Sequence, residues 1–560
     1  MAGPLLPSSG KAAPPLNVMT SIIKKPVAIL GAGLAGLTAA NYLRRQNVPV
    51  TLFEAGSKIA GLAQSFHDED GFTYDFGAHF ITNRLAETVG VRDKCRTVRH
   101  YAETVWLGGK SYSHPFGLMR VPRMTADGVS AKVRGFGKNE RPGSAAEWFR
   151  SNYGESLANE VAIPLTEAWS GAAAEDLSPA VGDGISSGIG RTLWLKAASQ
   201  FSGRAVACGY SHELPERASV YHVYPEGGIG ALCQKLAEGL DDVIKLESPV
   251  EKIVVEDGKA IGVRVGGDLF EASAVISTAP VNVLGRIIEG SDALSHLSRF
   301  HYRPMVFVNL RFQGRGLLPD VVTWTPEGDL PFFRLTETPL SMPWLAPRGK
   351  TIVTVDIGCE KADAFWTMDD ETLGELCVDN LKRLIPDARE RYLGCRVMRT
   401  PIAYPVFKRE YERERQQLAD GTGIENLHSI GRNGEFAHIF MEDVHCRTEK
   451  KMDQMLRSLT PERVRPMAHP QLSRDRHIAE LLANLVEKDG AVSNTVLPAW
   501  QVYAFGAFAV WLLITALAFT AQHPEVSTAY RLFGAIALVT TMAVGLWVSR
   551  VRRLIHHGQI

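Results

Sequence analysis

The chain has 560 residues and sets 61 Lys and Arg against 61 Asp and Glu, for a formal charge of zero at neutral pH. That balance excludes the broad electrostatic pull of a nucleic-acid binder, and 45% apolar residues exclude a disordered chain; the length allows about two or three domains. The seven cysteines are odd in number and form no C-x-x-C pair, so they read as reduced, mostly buried thiols of an intracellular domain, with no metal expected.

Residues 1–24 are rich in Pro, Ala, Ser and Gly, lack the apolar core of a signal peptide, and read as a disordered tail. The apolar run Val27 to Leu30 then predicts a buried parallel strand. Gly31, Gly33 and Gly36 follow as G-x-G-x-x-G, an Ala- and Leu-rich pattern predicts a helix from Leu34 to Arg45, and Val50 to Phe53 predicts a second strand that ends on Glu54. Each glycine has a physical job. Gly31 permits the tight turn, Gly33 lets a pyrophosphate approach the backbone, and Gly36 lets helix and strand pack closely. The helix start at Leu34 and Ala35 offers free N–H groups and a positive dipole end to phosphates. The Glu54 carboxylate is placed to accept both ribose hydroxyls, with Ala55 next to it. The stretch predicts a dinucleotide site.

Beyond Glu54 come Gly61 and Leu62 in IAGLAQSF, then DGFTYDFGAHFITN. This resembles the FAD-binding start of the amine oxidase, protoporphyrinogen oxidase and UDP-galactopyranose mutase superfamily, where G-x-x-x-D-x-G-x-H follows; Gly71, Asp75, Gly77 and His79 match it. Leu62 departs from the family's second glycine. The resemblance implies FAD as cofactor, with Gly61, Leu62, Gly77, Ala78 and His79 near it. It also implies that His79 sits by the isoalloxazine and donates a hydrogen bond to substrate or flavin; a hydrogen-bonded buried histidine is the plainer alternative.

From about 84 to 220 the sequence reads as helices and loops, with Trp148, Phe149 and Trp169 as helix core. EAWSG and LSP resemble the helical insertion of protoporphyrinogen-oxidase-like proteins. VYPEGGIGAL at 223–232 is a Gly-rich turn opening a helix, similar to the family's segment near the flavin. Residues 249–281 alternate apolar and polar positions with Asp-Gly and Gly-Gly turns, a β-meander that returns to a buried strand at Ala274 to Ile276. The resemblance places the Val250 backbone beside the adenine.

Arg334, in PFFRLTE, has two readings: a strand-edge arginine paired with Glu337 or Glu360, or the counterpart of the mutase arginine serving the substrate pocket. Tyr404 resembles the tyrosine of the family's Y-P segment. LHSIGRNGEFAHIFMED at 427–443 predicts a strand, a Gly431-Arg432 turn and a helix. It resembles the flavin segment of the mutase-like branch, which carries Gly431, Arg432 and Met441 over to the cofactor. The mutase's substrate-binding tyrosines are replaced by Phe436, His438, Ile439 and Phe440.

Residues 502–521 and 532–549 are apolar runs of about 18–20 residues, long enough to cross a membrane. Trp500, Tyr503, Tyr530 and Trp547 flank them as interface anchors, and the basic tail RVRRLIHH puts both ends in the cytoplasm. The expected fold is therefore α/β: a Rossmann-like FAD-binding domain, an interleaved α+β substrate domain and a C-terminal two-helix transmembrane hairpin. In chain order the expected parts are a tail (1–24), FAD-binding domain (25–83), helical substrate region (84–222), FAD-binding domain (223–300), substrate sheet (301–420), FAD-binding domain (421–448), linker (449–497) and hairpin with tail (498–560). The expected protein is a multi-pass membrane-anchored, FAD-dependent oxidoreductase with a cytoplasmic catalytic domain. His79, Arg334 and Tyr404 are its candidate catalytic residues. Its expected partners are a small-molecule or lipid-linked substrate, the membrane, and a quinone or membrane enzyme, without nucleic acid. The alternative is a flavin-dependent sugar mutase.

Overall fold

The computed structural model describes residues 23, 25–77, 80–115, 117–135, 142–182 and 189–459. The chain divides into a unit ending at Arg465 and a second, Pro466–Ile560, which lies wholly outside the described residues together with the expected hairpin. Among the described residues no helix is long and apolar enough to cross a membrane.

A five-stranded parallel sheet forms the nucleotide half. Its order is Ile244–Lys245, Val50–Phe53, Val27–Leu30, Ala274–Ser277, Leu427–Ser429, so three distant stretches of chain supply one sheet. Val27–Leu30 is buried at every position, as a central strand covered on both faces must be. Helix Leu34–Arg45 packs over the sheet with Leu37, Ala40 and Leu43 inward, sharing a core with Ile29, Leu52, Leu232 and Met452. Each fully buried leucine there contributes about 1.5–3 kcal/mol. The meander Lys252–Glu256, Lys259–Val265, Asp268–Glu271 is antiparallel as expected, with Ile288–Glu289 added at its edge.

The second half is a seven-stranded sheet in the order Tyr392–Pro405, Tyr302–Gln313, Lys350–Gly358, Arg334–Thr336, Val322–Trp324, Glu103–Leu107, Lys110–Ser113. Strand period sorts its two faces. Val306, Val308, Leu310, Leu335, Val353 and Val355 point to one side, against Leu373, Cys377 and Leu381 of helix Asp370–Leu381. Met305, Phe307 and Ile352 point to the other, where Phe72 and Tyr74 meet them, joined by Phe333 from just before the strand Arg334–Thr336. Arg334 and Asp356, one residue out of phase with Leu335 and Val355, fall on this second face, toward the nucleotide half.

Two expectations are corrected. Residues 84–222 are not only helices and loops: Glu103–Leu107 and Lys110–Ser113 form a hairpin that joins the seven-stranded sheet. Its turn, Gly108-Gly109, has φ of +58° and +74°, which glycine adopts freely. The helix expected directly after Gly431-Arg432 is broken. Gly431–Gly434 is one short turn, Phe436 takes a left-handed φ of +48°, and a new helix runs Met441–Leu459, past the expected boundary at 448.

Candidate active site

The glycine turn behaves as its chemistry requires. Gly31 has φ +94°, and a Cβ there would strike Thr278; a Cβ on Gly36 would strike the Gly31 carbonyl. At Gly33 a Cβ would meet nothing within 4 Å, so the backbone at the helix start faces open space. Gly33 bridges Ala60, and a Cβ on Gly61 would lie 3.6 Å from the Gly33 Cα, so Gly61 with the half-buried Leu62 forms the facing wall. Leu34 is half-buried at the helix start, and Ala35 is covered by Gly431, whose Cβ would come within 2.7 Å of it. The Gly431-Arg432 turn is thereby set beside the glycine loop.

Glu54 Oε2 accepts from the Ala32 N–H at 2.7 Å and Oε1 from the Gly56 N–H at 2.8 Å. These two bonds aim the carboxylate at the glycine turn and leave lone pairs on both oxygens. Ala55 beside it is exposed. Ser248 N–H donates to the Glu54 carbonyl at 2.8 Å, which brings Val250, two residues on, to the same end of the groove. Asp75 is structural: it accepts from Ser65, Tyr224 and the Ile229 N–H and so docks the YPEGG turn. Burial raises its pKa, against the pull of those bonds. Ala78 and His79 lie outside the described residues. Gly77 precedes them with φ +77°, against Phe307 and Arg334.

Arg334 is brought to the site, but with a partner the sequence did not suggest. It pairs with Asp356 directly across the strand register, Nε to Oδ2 at 2.8 Å, and not with Glu337 or Glu360. Glu337 instead accepts from the Gly316, Leu317 and Leu318 N–H groups, and Glu360 pairs with Arg303 and His301. Burial opposes the Arg334 charge, yet Asp356 outweighs it and holds the guanidinium protonated. The Arg334 guanidinium lies 5.4 Å from the Trp324 ring, and that of Arg432 lies 5.1 Å from the Tyr404 ring. Trp169, expected in the helix core, packs its ring 5.5 Å from Tyr404 and 5.0 Å from His438. Met441 is half-buried at the start of the last helix. Phe436 lies in the core with Phe300, Tyr302 and Tyr411, and Ile439 is buried, so neither replaces a substrate-facing tyrosine.

Arg432 is deeply enclosed, its Nε has no hydrogen-bond partner, and among the described residues no carboxylate pairs with it. Burial lowers its pKa, as does Arg334 nearby. An enclosed cation without an acid is expensive unless a ligand supplies the negative charge. A flavin whose reduced ring is anionic at N1 meets that need. The open backbone at Gly33, the aimed carboxylate of Glu54 and the unpaired Arg432 together fit FAD along one groove.

A second cluster escaped the sequence. Tyr101 donates to Glu103 Oε1 at 2.5 Å, and Trp324 Nε1 donates to Oε2 at 2.9 Å. Tyr210 lies beside Tyr101, and Lys196 Nζ lies over the Tyr101 ring, 5.7 Å from its centre. Burial alone would raise the Glu103 pKa, but His114, Tyr101, Trp324 and Lys196 offset it, and the carboxyl lies below its usual value. Tyr101, Glu103, Tyr210, Trp324, Arg334, Tyr404 and Arg432 are all half-buried, and Tyr101, Glu103, Tyr210, Arg334 and Arg432 keep some accessible surface while sitting deep in the protein. The Gly108-Gly109 hairpin signal would have placed Glu103 on a strand; no local signal marks Lys196 or Tyr210.

The sequence model of the family described as flavin-containing amine oxidoreductase matches residues 34–431. The chain belongs to that family. It is an FAD-dependent oxidoreductase. The coproporphyrinogen III oxidase of Bacillus subtilis is 22% identical over 417 residues, 66% of this chain and 85% of that protein. That of Staphylococcus aureus is 28% identical over 165 residues, 25% of this chain and only 35% of the relative. Among solved structures, a reduced UDP-galactopyranose mutase aligns with TM-score 0.63 at 19% identity, over 78% of this chain and 94% of that one. An engineered putrescine oxidase aligns with TM-score 0.55 at 16% identity, over 77% and 99%. These structures share the fold of this flavin-containing amine oxidoreductase.

Proposed function

We propose that this protein oxidises a pyrrole N–H-bearing substrate of the porphyrinogen type at a methylene bridge between pyrrole rings, with hydride passing to the flavin. One observation carries the reading. The rings of Trp169 and Tyr404 meet, Arg432 lies over Tyr404 and Arg334 over Trp324, and Tyr101 and Tyr210 join the same cluster, so aromatic rings and two guanidinium groups gather beside the Gly431-Arg432 turn. Aromatic rings suit the faces of individual pyrroles, and fixed charges suit a macrocycle with polar edges.

Bound FAD supplies the two-electron acceptor. The chain's residues do the rest. The Gly33 backbone and helix start hold the pyrophosphate, Glu54 the ribose, and Arg432 the negative charge of the reduced ring. Arg334, fixed by Asp356, and the Tyr404 and Trp169 rings orient the substrate. The apolar spans in 498–560 anchor the enzyme in a membrane, with the catalytic unit on the cytoplasmic side and a quinone or oxygen as final acceptor.

The test uses full-length, FAD-loaded protein in detergent, given coproporphyrinogen III and protoporphyrinogen IX in air and followed by porphyrin fluorescence. Flavin-dependent porphyrin formation from either is the expected result. No porphyrin above the protein-free control, with interconversion of UDP-galactopyranose and UDP-galactofuranose after dithionite reduction, would replace this reading with the sugar-mutase one.

A further inference from the structure

Helix Ile189–Ser202 turns two large rings away from the protein. Leu195 is buried, and Ser199, one turn on, accepts from the Val206 N–H at 3.2 Å, so this side of the helix faces inward. Trp194 and Phe201 stand on another face. Seven residues apart, they lie two turns above one another, and they are 64% and 92% exposed. Folding gains nothing from either ring. A pair of this size on one helix face marks a surface that something else covers.

Cations gather at the Phe201 end. The Ala205 N–H donates to the Val98 carbonyl at 2.9 Å, which brings the exposed Arg204 beside the exposed Arg99. The Arg204 guanidinium lies 4.7 Å from the centre of the Tyr221 ring, and Arg92 Nη2 donates to the hydroxyl of that tyrosine at 3.5 Å. Arg96 and His100 nearby pair with Glu226 and Asp320, whereas among the described residues no carboxylate forms an ion pair with Arg92, Arg99 or Arg204. Exposed rings beside cations without acids ask for an occupant that is apolar and anionic at once. A bilayer with anionic headgroups is both: rings enter its acyl boundary and guanidinium groups meet its phosphates. At 14 residues the helix is too short to span such a layer and lies along its surface.

We propose that Trp194, Phe201, Arg99 and Arg204 form a docking face for an anionic lipid surface. An acidic protein would meet the guanidinium groups. A ring almost wholly in water suits better a fluid apolar boundary, which needs no matched pocket. The inference goes beyond the proposed function: it concerns where the catalytic unit rests, not what it oxidises.

For the test, full-length, FAD-loaded protein is mixed with vesicles of phosphatidylcholine alone or of phosphatidylcholine with phosphatidylglycerol, all with brominated acyl chains that quench tryptophan. Subtracting the emission of Trp194→Phe from that of wild type isolates Trp194 among the ten tryptophans. Trp194 should be quenched in anionic vesicles and little in neutral ones or at high salt. Arg99→Gln and Arg204→Gln should each raise the phosphatidylglycerol needed for half-quenching about fivefold, the scale of one cation at an anionic surface. Phe201→Ser should weaken the quenching with flavin content unchanged, since its ring supports no core. If the apolar runs at 502–549 insert, the protein binds both kinds of vesicle and Trp194 still reports this face. If they do not, binding itself should require phosphatidylglycerol. Trp194 unquenched in anionic vesicles, quenching indifferent to phosphatidylglycerol, or quenching unchanged in both arginine variants would each overturn the proposal. The first of these, with binding of an acidic protein that Arg204→Gln abolishes, would assign the face to that partner instead. Failure to oxidise porphyrinogens would sink the proposed substrate and leave the docking face standing.

Discussion

The two ends of the groove recognise ligands by different means. At the nucleotide end, recognition is mostly backbone: a turn only glycine can make at Gly31, an uncovered peptide at Gly33, and one side chain, Glu54, aimed by two N–H groups. At the substrate end it is all side chains, brought from strands and helices far apart in sequence: Tyr101 and Glu103, Lys196, Tyr210, Trp324, Arg334, Tyr404 and Arg432. Backbone recognition is written in a short local pattern. Side-chain recognition is written in tertiary structure. Changes at the first end should act all-or-none on FAD, and changes at the second should be graded.

The largest expected effect is at Gly33. Gly33→Leu should abolish FAD retention while the apoprotein melts close to wild-type apoprotein, because the new side chain meets no protein atom. Gly36→Leu should fail to fold, since even a Cβ there strikes the Gly31 carbonyl. Flavin content and thermal melts measure both; equal behaviour of the two variants would break the distinction between cradle and packing glycine.

Next comes Arg334→Met, which strands Asp356 as an enclosed, unpaired carboxylate and should cost about 3–5 kcal/mol in denaturant titration. The double change Arg334→Met with Asp356→Leu should recover much of that loss. A single variant as stable as wild type would mean the pair is dispensable.

Glu54→Gln should weaken FAD by about tenfold, the scale of a charged hydrogen bond made neutral, and should leave the single-turnover rate of the loaded enzyme unchanged. Equilibrium dialysis reads the first and stopped-flow flavin absorbance the second.

The last effect is on pH and is gradual rather than abrupt. Burial pushes the His222 and His438 pKa values down to about 3 from an ordinary 6.5. Both histidines stay neutral in the fold, while the unfolded chain takes up protons below pH 6.5. Stability should therefore be full above pH 6.5 and fall as pH drops from there toward 3, by about 1 kcal/mol per pH unit for each histidine. His438→Phe should flatten that slope between pH 6 and 4; an unchanged slope would show that His438 does not titrate with unfolding.

This contrast also governs what was legible in the sequence. The run from Val27 to Glu54 could be read to the residue because strand, turn, helix and acid follow one another without interruption. The meander at 252–271 was legible through its alternation and its glycine turns. Arg334 was found, but its partner was not, because Asp356 is opposite only after Arg334–Thr336 pairs with Lys350–Gly358. Trp169 packs against the core as expected, but nothing local says that a ring on an insertion helix will also meet Tyr404. The break between Gly434 and Met441 was hidden because it depends on the left-handed turn at Phe436, a residue that rarely adopts one. Glu103 carries a local signal, the Gly-Gly hairpin turn after it.

The central claim is that flavin and substrate meet between the Gly431-Arg432 turn and the seven-stranded sheet. Its most direct test is an anaerobic half-reaction: FAD-loaded full-length protein mixed with coproporphyrinogen III in a stopped-flow instrument, with flavin absorbance recorded over a single turnover. The account predicts saturable bleaching of the oxidised flavin in wild type and much slower bleaching in Tyr404→Ala, whose flavin content is unchanged. No bleaching in wild type, or bleaching indifferent to Tyr404, would contradict it.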